Sequence, residues 1–167
     1  MIAENQKRGY QDRKYELLDT GIFDDNQYFD VYVEYAKNSP EDILIWIHVT
    51  NHSSEIKTLH LLPTLWFRNY WSWGHNFEKP VLKRLSDSNA IEASHPLLKQ
   101  RWLYFQSHKK ILFTENETNF ERLFHTPNQS RYIKDGINNY LIQGQQDAVN
   151  PEQVGTKAAV YATVSLK

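Results

Sequence analysis

Two neighbouring runs of strict alternation constrain this chain more than any other feature. In Tyr28–Ala36, YFDVYVEYA, the residues Phe29, Val31, Val33 and Tyr35 alternate with Tyr28, Asp30, Tyr32 and Glu34. In Ile43–Thr50, ILIWIHVT, one face carries Ile43, Ile45, Ile47 and Val49, and the other Leu44, Trp46, His48 and Thr50. A period of two built from β-branched and aromatic residues belongs to a strand. Between the runs stands Lys37-Asn38-Ser39-Pro40-Glu41-Asp42, whose composition makes a turn. Two strands with a six-residue connection predict an antiparallel hairpin.

Further strands are expected at Thr58–Phe67, Ala90–Ser94, Arg101–Ser107, Ile111–Thr114 and Lys157–Leu166. Pro63 lies inside the first of these and has no N–H for a ladder, so it belongs at a bulge or an edge. No stretch sustains a 3.6-residue period, and helix is expected only as a turn or so around Glu121–Phe124. Residues 127–156 carry Pro127, Gly136, Gly144, Pro151 and Gly155, and read as a long structured loop system. Short strands separated by turn residues predict an all-β, antiparallel β-sandwich rather than a βαβ fold. Residues 1–13 are polar and lack periodicity, so they read as a flexible lead-in to one sandwich domain over 14–167. The last strand, TKAAVYATVSLK, runs to Lys167 without a turn or cap, and the start leads into a strand directly. Both ends therefore read as cuts through something larger.

Composition narrows the function. With 19 basic against 20 acidic side chains, the chain lacks the basic footprint of a nucleic-acid binder. No apolar run approaches the roughly 20 residues of a membrane span, and MIAENQKRGYQDRKYE has no signal-like apolar stretch. The absence of cysteine removes disulfides, thiol nucleophiles and cysteine metal sites, and the expected compartment is cytoplasmic. Neither a phosphate loop nor a serine elbow is present, and no cofactor is expected. The histidines show no i,i+2 strand pair or i,i+4 helix pair, so no metal site is expected either. What stands out is 14% aromatic content with five tryptophans. Aromatic rings with polar handles suit both a sandwich core and a sugar-stacking surface.

Three segments could carry chemistry. In LWFRNYWSWG, Trp66 lies within the strand expected at Thr58–Phe67, while Trp71 and Trp73 fall in the expected loop Arg68–Lys79. They could form a platform for a pyranose ring, with Arg68 and Asn69 as hydrogen-bond donors, or anchor a loop folded over the sandwich end. In FTENETNF, Glu115 and Glu117 stand two apart around Asn116, which on a strand places both on one face. Paired carboxylates are the chemistry of glycoside hydrolysis, but an acid and base must flank the bond they cleave. Two on one strand face do so poorly, and solvated turn charges explain them as well. In YIKDGINNYLIQGQQDAVNP, Lys134-Asp135-Gly136 reads as a tight turn, with Asp135 capping and Gly136 at positive φ.

The phrases YELLDTGIFDDNQYFDVYVEYAKNSPEDILIWIHVTN and LHLLPTLWFRNYWSWG, followed in order by ILFTENETNFERLF, YIKDGINNYLIQG and DAVNPEQVGTKAAVY, resemble the bacterial glycoside hydrolase family 63-like proteins. The resemblance covers the chain from about Tyr15 onward. It implies the N-terminal β-sandwich of the supersandwich type, which in that family packs on a C-terminal (α/α)6 barrel. The barrel holds the acid and base of an inverting α-glycosidase, and nothing in this sequence corresponds to it. No catalytic residue is therefore carried over, to Glu115 or Glu117 or anywhere else. The implied role is a non-catalytic sandwich portion that completes a sugar pocket. The candidates for it are Arg68, Asn69, Trp71, Trp73, Glu115, Asn116, Glu117, Lys134 and Asp135. The implied partners are a carbohydrate and a barrel in cis or from an adjacent gene. An incomplete sandwich also predicts self-association through exposed strand edges. The alternative is an independent carbohydrate-binding module using the tryptophan loop.

Overall fold

The computed structural model describes residues 1–74, 78–86, 88–106 and 109–167. The fold is all-β, with antiparallel ladders and short helices. Its elements, in chain order, are helix α1 (Ile2–Asn5) and strands β1 (Phe29–Ser39), β2 (Asp42–Asn51), β3 (Lys57–Leu61), β4 (Thr64–Trp66), β5 (Val81–Arg84), β6 (Ala90–His95), β7 (Lys99–Tyr104) and β8 (Lys110–Thr114). Helices α2 (Phe120–Phe124) and α3 (Gly136–Ile142) and strands β9 (Val154–Gly155) and β10 (Lys157–Leu166) complete the order. They fall into two compact units, one of Met1–Leu59 with Val164–Lys167 and the other of His60–Thr163.

The first unit contains the expected hairpin, longer than its sequence suggested. β1 and β2 pair in register from Phe29 opposite Asn51 to Lys37 opposite Ile43, and a bulge between Lys37 and Ser39 leads into the turn. Only Pro40 and Glu41 connect the strands, so the six-residue loop is mostly strand. The amide of Asn38 donates to Asp42 Oδ2 (2.8 Å) and supplies the local order that the composition concealed. Residues 1–13, expected as a lead-in, contain the single turn α1. The Asn5 side chain clamps the backbone of Tyr15 twice, donating to its carbonyl (2.9 Å) and accepting from its N–H (2.8 Å). A 3-10 turn at Leu17–Thr20 follows and ends at Gly21 in the left-handed region (φ 69°).

The second unit holds the core. β7, β6, β5 and β9 form one sheet in that order. In the other sheet β10 is central, flanked by β8 and by β4. Between the sheets lie Leu82, Ile91, Ala93, Ile111, Phe113, Ala158 and Val160, all buried. The opposite faces of β8 and β10 are buried as well, Leu112 and Ala159 packing against Ile137 of α3 and Val149. β8 and β10 thus form a middle layer, which is why ILF and AAV read as continuous apolar runs rather than alternation. Full burial of a side chain such as Phe113 stabilises by roughly 1.5–3 kcal/mol.

Pro63 falls between β3 and β4, breaking the expected Thr58–Phe67 strand in two as its missing N–H requires. Its carbonyl still accepts from Val160 N (3.0 Å). The expected strand Arg101–Ser107 is Lys99–Tyr104, and Ser107 lies outside the described residues. The loop system at 127–156 contains α3 and β9, which the reading by turn residues passed over.

Candidate functional site

The second unit brings the three candidate segments together. The carbonyl of Phe67, at the start of the aromatic loop, accepts from Asn116 Nδ2 (2.8 Å). Asn116 N donates to Thr156 Oγ1 (2.7 Å), and that hydroxyl donates onward to Glu115 Oε2 (2.7 Å). One hydroxyl can do both, because it offers a donor and two lone pairs. On the other side Glu115 N donates to the Tyr132 carbonyl (2.7 Å), and Lys134 N to the Glu117 carbonyl (3.2 Å). Residues 115–117 are therefore laced to both flanking segments, through the Asn116 side chain on one side and the backbone on the other.

The aromatic loop is ordered locally. Asn69 Oδ1 accepts from Ser72 N (3.2 Å), and a 3-10 turn covers Trp71–Trp73. Gly74 closes the turn at φ 76° with open space around it, so only the backbone angle demands glycine. His75, Asn76 and Phe77, which complete the expected loop before Lys79, lie outside the described residues. The turn sends its two indoles to different companions. Trp73 joins Tyr70 edge-on (5.1 Å between rings), and the Arg68 guanidinium lies 5.0 Å from the Tyr70 ring and 5.5 Å from the Trp73 ring. Trp71 instead donates its Nε1–H to Glu117 Oε1 (3.1 Å).

Lys79, which sequence reasoning did not single out, completes this second group. Its ammonium stands 3.1 Å from Glu115 Oε1, 3.5 Å from Glu117 Oε1 and 5.9 Å from the centre of the Trp71 ring. Glu117 is buried, at 7% exposure, so the reading of both carboxylates as solvated turn charges does not hold for it. A buried carboxylate requires partners, and here they are an ammonium and an indole N–H. Both carboxylates face one cation from beyond the end of β8, not from within a strand.

The Lys134–Gly136 segment differs from its expected form. Asp135 occupies the N-cap position of α3 without a side-chain cap bond. Its carboxylate accepts from Asn119 Nδ2 (3.3 Å) and pairs with Arg122 (3.4 Å). Gly136 does not take a positive φ. It is glycine because a Cβ there would sit 2.1 Å from the Ala148 carbonyl oxygen, where α3 presses against the 3-10 turn Gln146–Ala148. Lys134 contributes its backbone, its carbonyl accepting from Lys157 Nζ (3.1 Å). Burial holds the Lys157 ammonium below the ordinary lysine range, Asp135 opposing and Lys134 reinforcing the shift.

Beside Asp135 opens a groove of about 450 Å³, whose lining includes Asn119, Arg122, Asn128, Arg131, Asn139 and Gln145. Among the described residues no cluster of three His, Asp or Glu side chains is placed to hold a metal ion. His75 and His108 lie outside those residues. No described helix is long and apolar enough to cross a membrane.

A yeast protein is similar to nearly all of this chain. It is the Uncharacterized protein YMR196W of Saccharomyces cerevisiae, 34% identical over 196 residues, a match that covers 96% of this chain and 18% of that protein. The chain therefore spans less than a fifth of that relative's length. No family model matches the chain, and no solved structure gives a significant match.

Proposed function

We propose that this chain is the non-catalytic N-terminal β-sandwich portion of a cytoplasmic family 63-like α-glycosidase, which packs on a helical barrel and helps to shape its sugar pocket. The observation that carries the reading is the division of labour within the aromatic loop. Glu115 and Glu117 are held by Lys79, Trp71 and Thr156, all within the chain, while Trp73 remains 55% exposed. Carboxylates engaged with one ammonium on one side do not flank a glycosidic bond as an acid and base must. They brace a loop that presents an aromatic edge instead. The length of the yeast relative supports membership of a longer polypeptide. So does the hairpin, where Tyr35, Ile43, Leu44 and Trp46 are each more than half exposed.

The test is hydrolysis of aryl α-glucosides and α-mannosides by the purified chain. No turnover is expected. Turnover that disappears in Glu117→Gln would overturn the reading and make this carboxylate a catalytic group.

The exposed Arg68–Tyr70–Trp73 cluster favours a second reading, a carbohydrate-binding module that acts alone. Tryptophan emission separates the two. A saturable change with millimolar glucosides, lost in Trp73→Ala, selects the module; unchanged emission selects the pocket-shaping role.

A further inference from the structure

The groove beside Asp135 is built from two arms. One is α2 with its flanking residues. Asn119 Oδ1 caps that helix by accepting from Arg122 N (3.0 Å), and Asn128 Oδ1 accepts from Glu121 N (3.2 Å). The other arm is α3 with the turn Gln146–Ala148, locked by the Gly136–Ala148 approach and by Gln145 N donating to the Asn139 carbonyl (3.3 Å). Arg131 and Ile133, from the segment between α2 and α3, also line the groove. The backbone of each arm is thus fixed, while the side-chain amides of Asn139 and Gln145 make no hydrogen bond to the described residues. The Arg131 guanidinium lies 5.3 Å from the centre of the Tyr132 ring and keeps its N–H donors. The groove's volume lies within the roughly 300–1,000 Å³ typical of small-molecule sites.

Its chemistry selects a ligand class. Arg122 and Arg131 are balanced by Glu121 and Asp147, and Arg122 is already paired with Asp135, so no net charge draws an anion. The amides of Asn139 and Gln145 each offer donors and an acceptor side by side, the complement of adjacent hydroxyl groups, which also donate and accept, and Asn128 adds the donors of its Nδ2. None of the described lining residues is aromatic, so a ligand would be held by its edge and not by stacking. We infer that this groove is a binding site for a neutral polyhydroxylated ligand, a saccharide gripped through vicinal hydroxyls by Asn128, Asn139, Gln145 and Arg131. The inference rests on the carbohydrate reading above and adds to it a second contact surface, separate from the tryptophan loop.

Open sites with few hydrogen bonds bind weakly, so the affinity expected is millimolar or weaker. The experiment is NMR titration of the 15N-labelled full chain with methyl α-glucoside, methyl α-mannoside and inorganic phosphate in turn. Saturable shifts are expected at the side-chain amides of Asn128, Asn139 and Gln145 with a glycoside, and none with phosphate. Asn139→Ala and Arg131→Ala should each weaken binding about fivefold with the backbone spectrum otherwise retained. Absence of shifts at tens of millimolar glycoside, shifts confined to the Trp71 and Trp73 indoles, or a response to phosphate alone would each overturn the proposal. None of these readouts involves turnover, so failure here is distinguishable from failure of the glycosidase-portion reading.

Discussion

The β1–β2 hairpin and the β8–β10 pair are built from similar residues and meet opposite fates. Ile111, Leu112 and Phe113 are at most 4% exposed, whereas Ile43, Ile45 and Trp46 are 62%, 49% and 67% exposed. The hairpin has the more regular alternation and the longer ladder. Alternation records which residues share a face. Whether anything covers that face depends on elements elsewhere, and β8 and β10 have them on both sides. An isolated two-stranded hairpin is marginal in water, so the β8–β10 pair reads as a finished core and the hairpin does not.

The contrast is tested most strongly by matched truncations. Phe113→Ala should cost about 3–5 kcal/mol in chemical denaturation, while Ile45→Thr should stay within about 0.5 kcal/mol. Ile45→Thr should also reduce dye binding and self-association. A large stability loss from Ile45→Thr would mean that the hairpin face is packed in solution. Next in size is Gly136→Ala, which drives a Cβ into the Ala148 carbonyl and should cost about 1–3 kcal/mol. An unchanged denaturation midpoint would show that α3 and its neighbouring turn can separate freely.

Smaller is Lys79→Met, expected to cost about 1 kcal/mol because the ammonium is 41% exposed and its pairing is weakened by solvent. It should also perturb Trp71 rather than Trp73 in indole NMR, which would confirm that the two rings belong to separate groups. The smallest effect concerns Lys157. Its folded pKa is depressed, so between the folded and unfolded values the unfolded chain binds more protons. Stability should therefore rise slightly with pH just below the ordinary lysine value of about 10.4, and Lys157→Met should flatten that rise. A slope of the opposite sign would overturn the assignment of burial as the dominant cause.

What the sequence made legible follows the same physics. β1, β2 and β10 were readable because long runs of β-branched and aromatic residues leave little alternative. β5 and β9 were not. Val81–Arg84 buries Leu82 alone among its four residues, and β9 is two residues whose pairing is decided by β5. α3 has the sequence GINNYLI, with a glycine and two asparagines that disfavour helix. It forms because Ile137 is buried and Tyr140 and Leu141 pack against the group of Leu112, Val149 and Ala159, a tertiary preference invisible to local reading. In the site, Trp71, Glu115 and Glu117 could be named from residue type. Lys79 could not, since nothing in its neighbours indicates that two distant glutamates will share it. The misreading of Gly136 has the same origin, because the contact that excludes a side chain comes from Ala148.

The central position of β10 also governs when this sheet can form. Ala158 pairs with both Leu65 and Phe113, strands that precede it by long stretches of chain. During synthesis β4 and β8 emerge with their shared partner still unmade, and their apolar faces must wait without a template. The hairpin, by contrast, closes on itself as soon as Asn51 has cleared the ribosome. Ladders between distant segments carry the loop-closure cost that slows β-rich folding. The order in which the two ladders appear thus runs opposite to their burial: the hairpin completes first and is the more exposed, and the better-packed β8–β10 ladder assembles after the greater delay.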